Sequence, residues 1–549
     1  MNIVSFSPFG YEGALVIVEV DLRRGIPSCD VVGLADCAVK EARERMRAAI
    51  RNSGLDFPSE RVLINLSPAD LKKEGSGFDL AIALAVLQTA DEGTSCNQKN
   101  EPISKNKSQV LVIGELELSG KVRQVRGTHA AILTAADANI KYCIIPKGLE
   151  LKDSEFGDTK IFPVDSLLEA KEILTKIKEM ETQKKNFKNL SPNEENTLPL
   201  DDEISSGNSN RSVNQKKLSV DFPTFPKEMD FSAVKDQPVL TRALQIAAAG
   251  RHNLLAYGPP GCGKTLSLQR YASLLPNLSL KQSQEVTRIW SLAGLIPSNT
   301  ELIKTSPFRM PHQSASLEGM VGGGTHCHPG EISLAHNGVL FLDEACEFRS
   351  SVLQTLRVPL ESHSITLSRA GRHTIFPADF QLLIATNPCP CGNFGSKDKI
   401  CLCSAFSVEN YWKKFSGPLL DRIDIRVPVF QNLKLPRDFP KEAGIVSGSS
   451  TAELRVAIKK AQEIQLSRQG KLNSKLTPDE ISFYCNLHSV LKEYLEHVTE
   501  KYDLSSRAVH SCIKLARTIA DMQGTYDIKL QHLEEAFFYR KTEGPLEMF

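Results

Sequence analysis

One eight-residue loop, with the segments on either side of it, narrows the fold more than anything else in the chain. Gly258-Pro-Pro-Gly-Cys-Gly-Lys-Thr265 satisfies the pattern G-x-x-x-x-G-K-[ST] at every position. The apolar run 253–257 before it reads as a buried strand, and residues 266–275 after it read as a helix. A strand that turns directly into a helix leaves backbone N–H groups free at the helix start, where they attract anions. Gly258, Gly261 and Gly263 allow the turn, and Pro259, Pro260 and Cys262 complete the cradle. Lys264 then suits the β- and γ-phosphates, and Thr265 suits Mg²⁺. The alternative is a chance glycine-rich turn, which does not account for the two flanks. The expected ligands are ATP and Mg²⁺, on an α/β fold.

Two further strands extend the site. Residues 338–344 form an apolar run ending in Asp343 and Glu344. Carboxylates at a strand end face the crevice where α/β sheets bind ligands. Asp343 would hold Mg²⁺ through water, and Glu344 would polarise the attacking water. The competing reading is that the two acids cap the following helix. Residues 381–387 form a second buried run ending in Asn387, placed to orient the lytic water. That signal is weak alone and gains force from following the other two.

At ~150 residues per domain, 549 residues suggest three or four domains. Residues 1–175 alternate strands (14–20, 62–66, 110–114, 142–145) with helices (39–52, 79–89, 128–138), as in a mixed α/β domain. Residues 176–229 turn polar, with Pro192, Pro199 and Pro223 among Lys, Asn, Ser and Glu, as a solvated linker does. The ATPase core is expected over 230–435, with a cysteine-bearing insert at 389–403. Residues 450–549 carry helical periodicity over 451–467, 477–486, 489–501, 505–522 and 530–539.

Composition excludes some classes. With 41% hydrophobic and 24% charged residues the chain is neither disordered nor collagen-like nor a small disulfide scaffold. A net charge of +1 excludes a histone-like polycation but leaves room for a local basic stripe. The early apolar run 14–18 is cut by Glu19 and Asp21, far short of a membrane span, and no basic leader precedes it. A cytoplasmic protein is expected, so the 13 cysteines should be reduced or metal-bound. Cys389, Cys391, Cys401 and Cys403 form two C-x-C pairs that suit a structural Zn²⁺, although C-x₂₋₄-C is the usual spacing. Reduced thiols without metal remain the other reading.

Residues 364–376 read as a β-hairpin with a turn at 370–372. Arg369, Arg372 and His373 near its tip suit phosphate contacts, but a surface hairpin with solubilising charges is equally open on the residues alone. The loop 307–324 offers Arg309 and His312 to a substrate, with Gly322-Gly-Gly324 to keep it mobile. The neighbouring Thr325-His-Cys-His328 reads as loop, because adjacent ligand-type residues do not easily converge on one metal ion.

These motifs carry a family resemblance. Residues 236–540 resemble an AAA+ ATPase of the magnesium-chelatase-like branch, and nearly the whole chain resembles the competence-associated ComM/YifB subfamily. The specific matches are Pro307-Phe-Arg-Met-Pro-His312, Gly322-Gly-Gly324, Pro329-Gly-Glu-Ile-Ser-Leu-Ala-His-Asn-Gly338 and Asn387-Pro-Cys-Pro-Cys-Gly392. The resemblance implies a P-loop AAA+ αβα core, a helical C-terminal lid and a homo-oligomer, typically a hexameric ring. It makes Arg422, in Leu419-Leu-Asp-Arg-Ile-Asp424, an arginine finger for the neighbouring subunit. It makes Arg507, in Ser505-Ser-Arg-Ala-Val509, a sensor for the chain's own nucleotide. On residues alone each arginine reads as a surface ion pair. In this branch the hairpin at 364–376 points into the ring pore, which tips its reading toward DNA.

Residues 1–175 resemble the Lon-protease-like, ribosomal-S5-type fold through Ser67-Pro-Ala-Asp-Leu-Lys-Lys-Glu-Gly75 and Gly114-Glu-Leu-Glu-Leu-Ser-Gly-Lys-Val122. The Ser–Lys dyad of that family is missing: its serine position falls on Gly77, with Ser76 one place early, and its lysine position falls on His129. No peptidase activity is expected. The resulting expectation is a DNA-dependent ATPase that moves along single-stranded or branched DNA, as in branch migration during uptake of foreign DNA. A chelatase-type remodeller of a protein or metallocofactor is the alternative. A non-enzymatic ATP switch fits less well, because it has no need of Glu344.

Overall fold

The structure is a computed structural model of the 549-residue chain. It describes all residues except 34–36, 70, 72, 74, 96–107, 190–219, 297–299, 325–326, 370–371, 395–398, 430–447 and 542–549. Side chains are additionally left out at 37–38, 40, 93–95, 184–189, 369, 372 and 541. The chain forms two units, Met1–Lys216 with Thr287–Ile303, and Lys217–Val286 with Lys304–Phe549.

The first unit is built on a seven-stranded mixed sheet. Its order is Cys29–Val32, Arg61–Ser67, Ala14–Arg23, Asn2–Ser7, Gln109–Val112, Tyr142–Pro146 and Lys160–Val164. Alternation along the strands separates two apolar layers. Val110, Val112 and Ile144 join the layer under the helices Cys37–Asn52 and Asp79–Ser95. Leu111, Ile113, Cys143 and Ile145 join the opposite layer, with the helix Thr128–Asp137 and with Leu292 and Leu302. The buried Asp79 carboxylate receives Arg45 Nε at 2.8 Å. The expected strands and helices of 1–175 are all present. Three further strands, Asn2–Ser7, Cys29–Val32 and Lys160–Val164, complete the sheet. The helix Leu167–Asn189 carries the chain well into the segment read as linker, and 190–219 lies outside the described residues.

The second unit holds a five-stranded parallel sheet in the order Phe308–Arg309, Val339–Leu342, Gln381–Thr386, Leu254–Tyr257, Ile425–Pro428. The last four strands are buried throughout; the first three of these are accordingly near-continuous apolar runs, whereas Ile425–Pro428 buries Arg426 between Ile425 and Val427. Leu254 pairs with both Leu383 and Ile425, so the strand before the P-loop is central and clamped on both edges. Mixed α/β layering with this parallel sheet fits an AAA+ magnesium-chelatase-like fold.

The C-terminal part is helical: Thr451–Gln469, Pro478–Tyr484, Ser489–Lys501, Ser506–Gln523 and Leu530–Lys541. Ser450 and Glu453 close a capping box on the first of these helices, and the Ser505 side chain caps the fourth. Ile458, Ile519 and Leu533 share one apolar cluster with Leu244, Leu254 and Ile425, so these helices and the sheet stand on a common core. Inside the helical part the Asp521 side chain is fully buried. It receives Arg468 at 2.7 Å, Arg517 at 3.0 Å and Asn473 Nδ2 at 2.9 Å.

Replacing Asp521 by Ala leaves two guanidinium groups without their shared carboxylate. The expected cost is about 3–5 kcal/mol, as for one broken partner of a buried pair. Hydrogen exchange should show it as lost protection in Thr451–Gln469 and Ser506–Gln523 ahead of the first unit.

Candidate active site

The site begins at the end of Leu254–Tyr257. A Cβ on Gly258 would lie 1.8 Å from the Val429 carbonyl oxygen, so only glycine fits where the chain leaves the sheet. Gly261 and Gly263 have φ of +80° and +78°, the left-handed backbone that glycine adopts without strain. The loop then enters the helix Lys264–Arg270. Lys264 is 8% exposed, and its Nζ donates to the carbonyls of Gly258 at 2.6 Å and Pro259 at 2.8 Å. The Asn387 Oδ1 lies 3.5 Å from the same nitrogen. Burial pushes the Lys264 ammonium below its usual range, with the charges of Cys262, Asp343 and Glu344 acting the other way.

Thr265 Oγ1 donates to Asp343 Oδ1 at 3.1 Å, bringing the two expected Mg²⁺ ligands together. Burial pushes the Asp343 carboxyl up, opposed by that hydrogen bond. A loop that admits only glycine at 258, a buried lysine and a hydroxyl–carboxylate pair are the donor set that MgATP needs. Lys264, Thr265, Asp343 and Asn387 therefore form one cluster. Glu344 joins it through the backbone, in left-handed conformation with φ of +48°. Its carboxylate accepts from a separate loop: Gln313 Nε2 donates to Glu344 Oε2 at 2.5 Å. Sequence reasoning missed Gln313, whose only signal was membership of the loop 307–324.

Arg422 and Arg507 meet on one carboxylate. Arg422 Nη2 lies 2.6 Å from Glu361 Oε1, and Arg507 pairs with the same oxygen. Both guanidinium groups hold the Glu361 carboxyl below its usual range. Arg422 sits just before Ile425–Pro428, and Asn253, just before Leu254–Tyr257, donates to the Arg422 carbonyl at 2.9 Å. Those strands are parallel, whereas the P-loop follows the far end of Leu254–Tyr257. The four residues of that strand put about 13 Å between the two ends. Arg507, expected to serve its own chain's nucleotide, thus shares Arg422's end of the sheet. A cavity of about 360 Å³ opens there, lined among others by Arg251, Glu361, Asp379, Arg422, Lys475 and Arg507. Glu361 had no sequence signal.

The hairpin expected at 364–376 is present as Ser364–Arg369 paired antiparallel with Arg372–Pro377. Ile365, Leu367 and Phe376 are buried, while His373, opposite Ser368, is exposed. The side chains of Arg369 and Arg372, and the tip between them, lie outside the described residues. Arg309 is paired with Glu331 through two bonds of 2.7 Å. His312 is exposed and bonds Ser314 at 2.8 Å. The sequence 325–328 lies partly outside the described residues.

The four cysteines converge. Cys389 Sγ lies 3.4 Å from Cys391 Sγ and 3.6 Å from Cys401 Sγ, and Cys391 and Cys401 are also 3.6 Å apart. All four sulfurs, Cys403 included, lie within 4.8 Å of one another. In the first unit, Ser76 donates to Glu115, and His129 Nε2 lies 3.1 Å from the Thr300 carbonyl oxygen. Ser76 and His129 thus have separate partners. Among the described residues no helix is long and apolar enough to cross a membrane.

Comparison with known proteins places this geometry in context. Residues 230–435 match the family described as magnesium chelatase, subunit ChlI. Residues 18–148 match a second pattern for subunit ChlI of Mg-chelatase, and 448–540 match the ChlI C-terminal pattern. The chain is 38% identical over 539 residues to the competence protein ComM of Haemophilus influenzae, covering 98% of this chain and 97% of that one. It is 36% identical to the YifB proteins of Salmonella typhimurium and Escherichia coli, in each case over 97% of this chain and 95% of the relative.

A Gly258→Ala change should destabilise the second unit by about 1–3 kcal/mol or more through overpacking. Thermal unfolding would report that loss, and titration with a fluorescent ATP analogue should show weakened binding. Unchanged stability and binding would contradict the close approach of Val429.

Proposed function

The chain belongs to the magnesium-chelatase-like AAA+ ATPases, in their ComM/YifB branch, and we propose that it is an ATP-hydrolysing ring motor acting on DNA. The observation that carries the ATPase part is the convergence of Lys264, Thr265, Asp343 and Asn387 on the P-loop. Gly258 to Thr265 would cradle the phosphates, with Lys264 moving from its carbonyl partners to the β- and γ-phosphates. Magnesium, held by Thr265 and Asp343, would neutralise charge developing on the phosphates. Glu344 would polarise the attacking water once Gln313 lets it go, and Asn387 would orient that water. Arg422 would reach the neighbouring subunit's nucleotide as an arginine finger. Arg507, on the same carboxylate, would serve that same neighbouring site. Glu361 would hold both until the neighbour engages them.

The DNA part is supported by the competence protein among the relatives and by the hairpin Ser364–Arg369/Arg372–Pro377, whose tip bears Arg369, Arg372 and His373. We read 1–175 as a Lon-like domain without protease activity, 176–229 as a linker, 230–435 as the ATPase core and 450–549 as its lid. The assembly would be a cytoplasmic homohexamer that drives branch migration of recombination intermediates during natural transformation. The four sulfurs support a structural zinc: tetrahedral Zn–S bonds of about 2.3 Å put sulfurs about 3.8 Å apart, close to the 3.4–3.6 Å observed. A second reading, an ATP-driven remodeller of a protein or metallocofactor, is favoured by the chelatase description of all three matched segments.

ATP turnover measured with and without single-stranded and branched DNA tests the reading. Strong stimulation is expected, abolished in Lys264→Ala and weakened in Arg372→Ala with basal turnover kept. Turnover indifferent to every DNA would overturn the DNA motor and leave the remodeller. The trans assignment has its own test. Lys264→Ala and Arg507→Ala subunits, each inactive alone, should regain turnover when mixed, because intact arginines then face intact P-loops. No recovery would sink the trans role of Arg507.

A further inference from the structure

The sulfur cluster is built into the ATP site. Cys389 lies two residues after Asn387, the residue 3.5 Å from Lys264. Gly392, closing the turn from Cys389, backs directly onto the phosphate loop: a Cβ there would lie 2.9 Å from Pro260 Cδ. Cys403 is followed at once by Ser404, whose hydroxyl caps the helix Ala405–Trp412. That helix returns to the start of the cluster segment, where Trp412 Nε1 donates to the Pro388 carbonyl at 2.9 Å. The Trp412 ring also stands edge-on to Tyr257, the last residue of the strand feeding the P-loop, at 5.5 Å. The same helix end reaches the segment after Glu344: Cys346 Sγ lies 3.7 Å from the Tyr411 carbonyl oxygen, and Lys414 donates to the Cys346 carbonyl.

The segment from Asn387 to Trp412 is thus a loop closed at its neck by the Trp412–Pro388 bond and at its middle by the four sulfurs. Between the cysteine pairs lie residues 392–400, and the four sulfurs, within 4.8 Å of one another, bring the two ends of that stretch together. We propose that a zinc ion bound by Cys389, Cys391, Cys401 and Cys403 is the positioning element of the ATP site. It holds Asn387 and Pro260 in register, so that metal loss stops hydrolysis without unfolding the protein. This rests on the zinc reading above and adds to it a role in turnover. The four cysteines are positioning residues, acting through Asn387 and the phosphate loop. Displacement of a positioned group by about 1 Å costs on the order of a hundredfold in rate.

The chain has 2 tryptophans, so a Trp290→Phe background leaves Trp412 as the only indole reporter of the neck. Full-length protein in that background would be analysed for zinc, Trp412 emission and ATP turnover in excess Mg²⁺. The measurements would be repeated after treatment with a zinc-selective chelator and after zinc re-addition. Cys391→Ser and Cys403→Ser would be measured in parallel. The expected result is about one zinc per chain, lost on chelation and in both variants. With it should come shifted Trp412 emission and a fall in turnover of at least tenfold, while circular dichroism is unchanged. Re-addition of zinc should restore emission and turnover in the chelated wild type, which decides the matter even if the variants fold poorly. Zinc present and removable, with emission and turnover indifferent to its loss, overturns the positioning role and leaves the zinc reading intact. A metal content well below one per chain overturns both, and the metal analysis alone distinguishes that case.

Discussion

The parallel pairing of Leu254–Tyr257 between Gln381–Thr386 and Ile425–Pro428 is the constraint on which the rest depends. A central strand with hydrogen-bonded partners on both edges is held in register by two ladders at once, since a shift would break both. One end of that strand delivers Gly258 under the Val429 carbonyl and sets Lys264 beside Asn387. The other end ties Asn253 to Arg422 and, through Glu361, brings in Arg507. A single register thus determines what lies near the phosphate loop and what lies a strand's length away from it.

Much of this was legible because buried parallel strands leave continuous apolar runs, and each functional residue sits at the end of one. Asp343, Glu344 and Asn387 could be read for that reason, and the glycines because the loop admits little else. The strands that escaped notice lack that signature. Asn2–Ser7 interleaves Ser5 and Ser7 with its apolar residues, and both serines are buried. Lys160–Val164 carries Pro163 and sits at the sheet edge, where proline is tolerated. Glu361 and Gln313 were invisible for a different reason. Each matters through one long-range contact, and nothing near it in sequence separates Glu361 from the other acidic residues of a chain that has 65. The role of Arg507 rests on a motif, and a motif does not carry the direction in which a helix faces.

The two carboxylates of the catalytic region receive opposite treatment. Asp343 is held by a hydroxyl from the loop it would serve. Glu344, one residue on, turns through a left-handed backbone to an amide from a separate loop. In the proposed roles, metal ligation and water activation would thereby rest on different supports. The cysteine segment adds a third support beneath Asn387 and Pro260.

Glu361 carries one negative charge and faces two guanidinium groups. Asp379, Asp421 and Asp424 share that cavity with Arg251, Lys475 and Lys514, so the cations at the N-terminal edge of the sheet are largely offset by acids. An anion that reached Arg422 and Arg507 would have to displace the Glu361 carboxylate they share. A nucleoside triphosphate has the charge to out-compete a single carboxylate where a spent diphosphate with fewer charges does so less well. If copies of this chain pack with Arg422 and Arg507 toward a neighbour's nucleotide, as proposed, that contact would be stronger with triphosphate bound than with diphosphate.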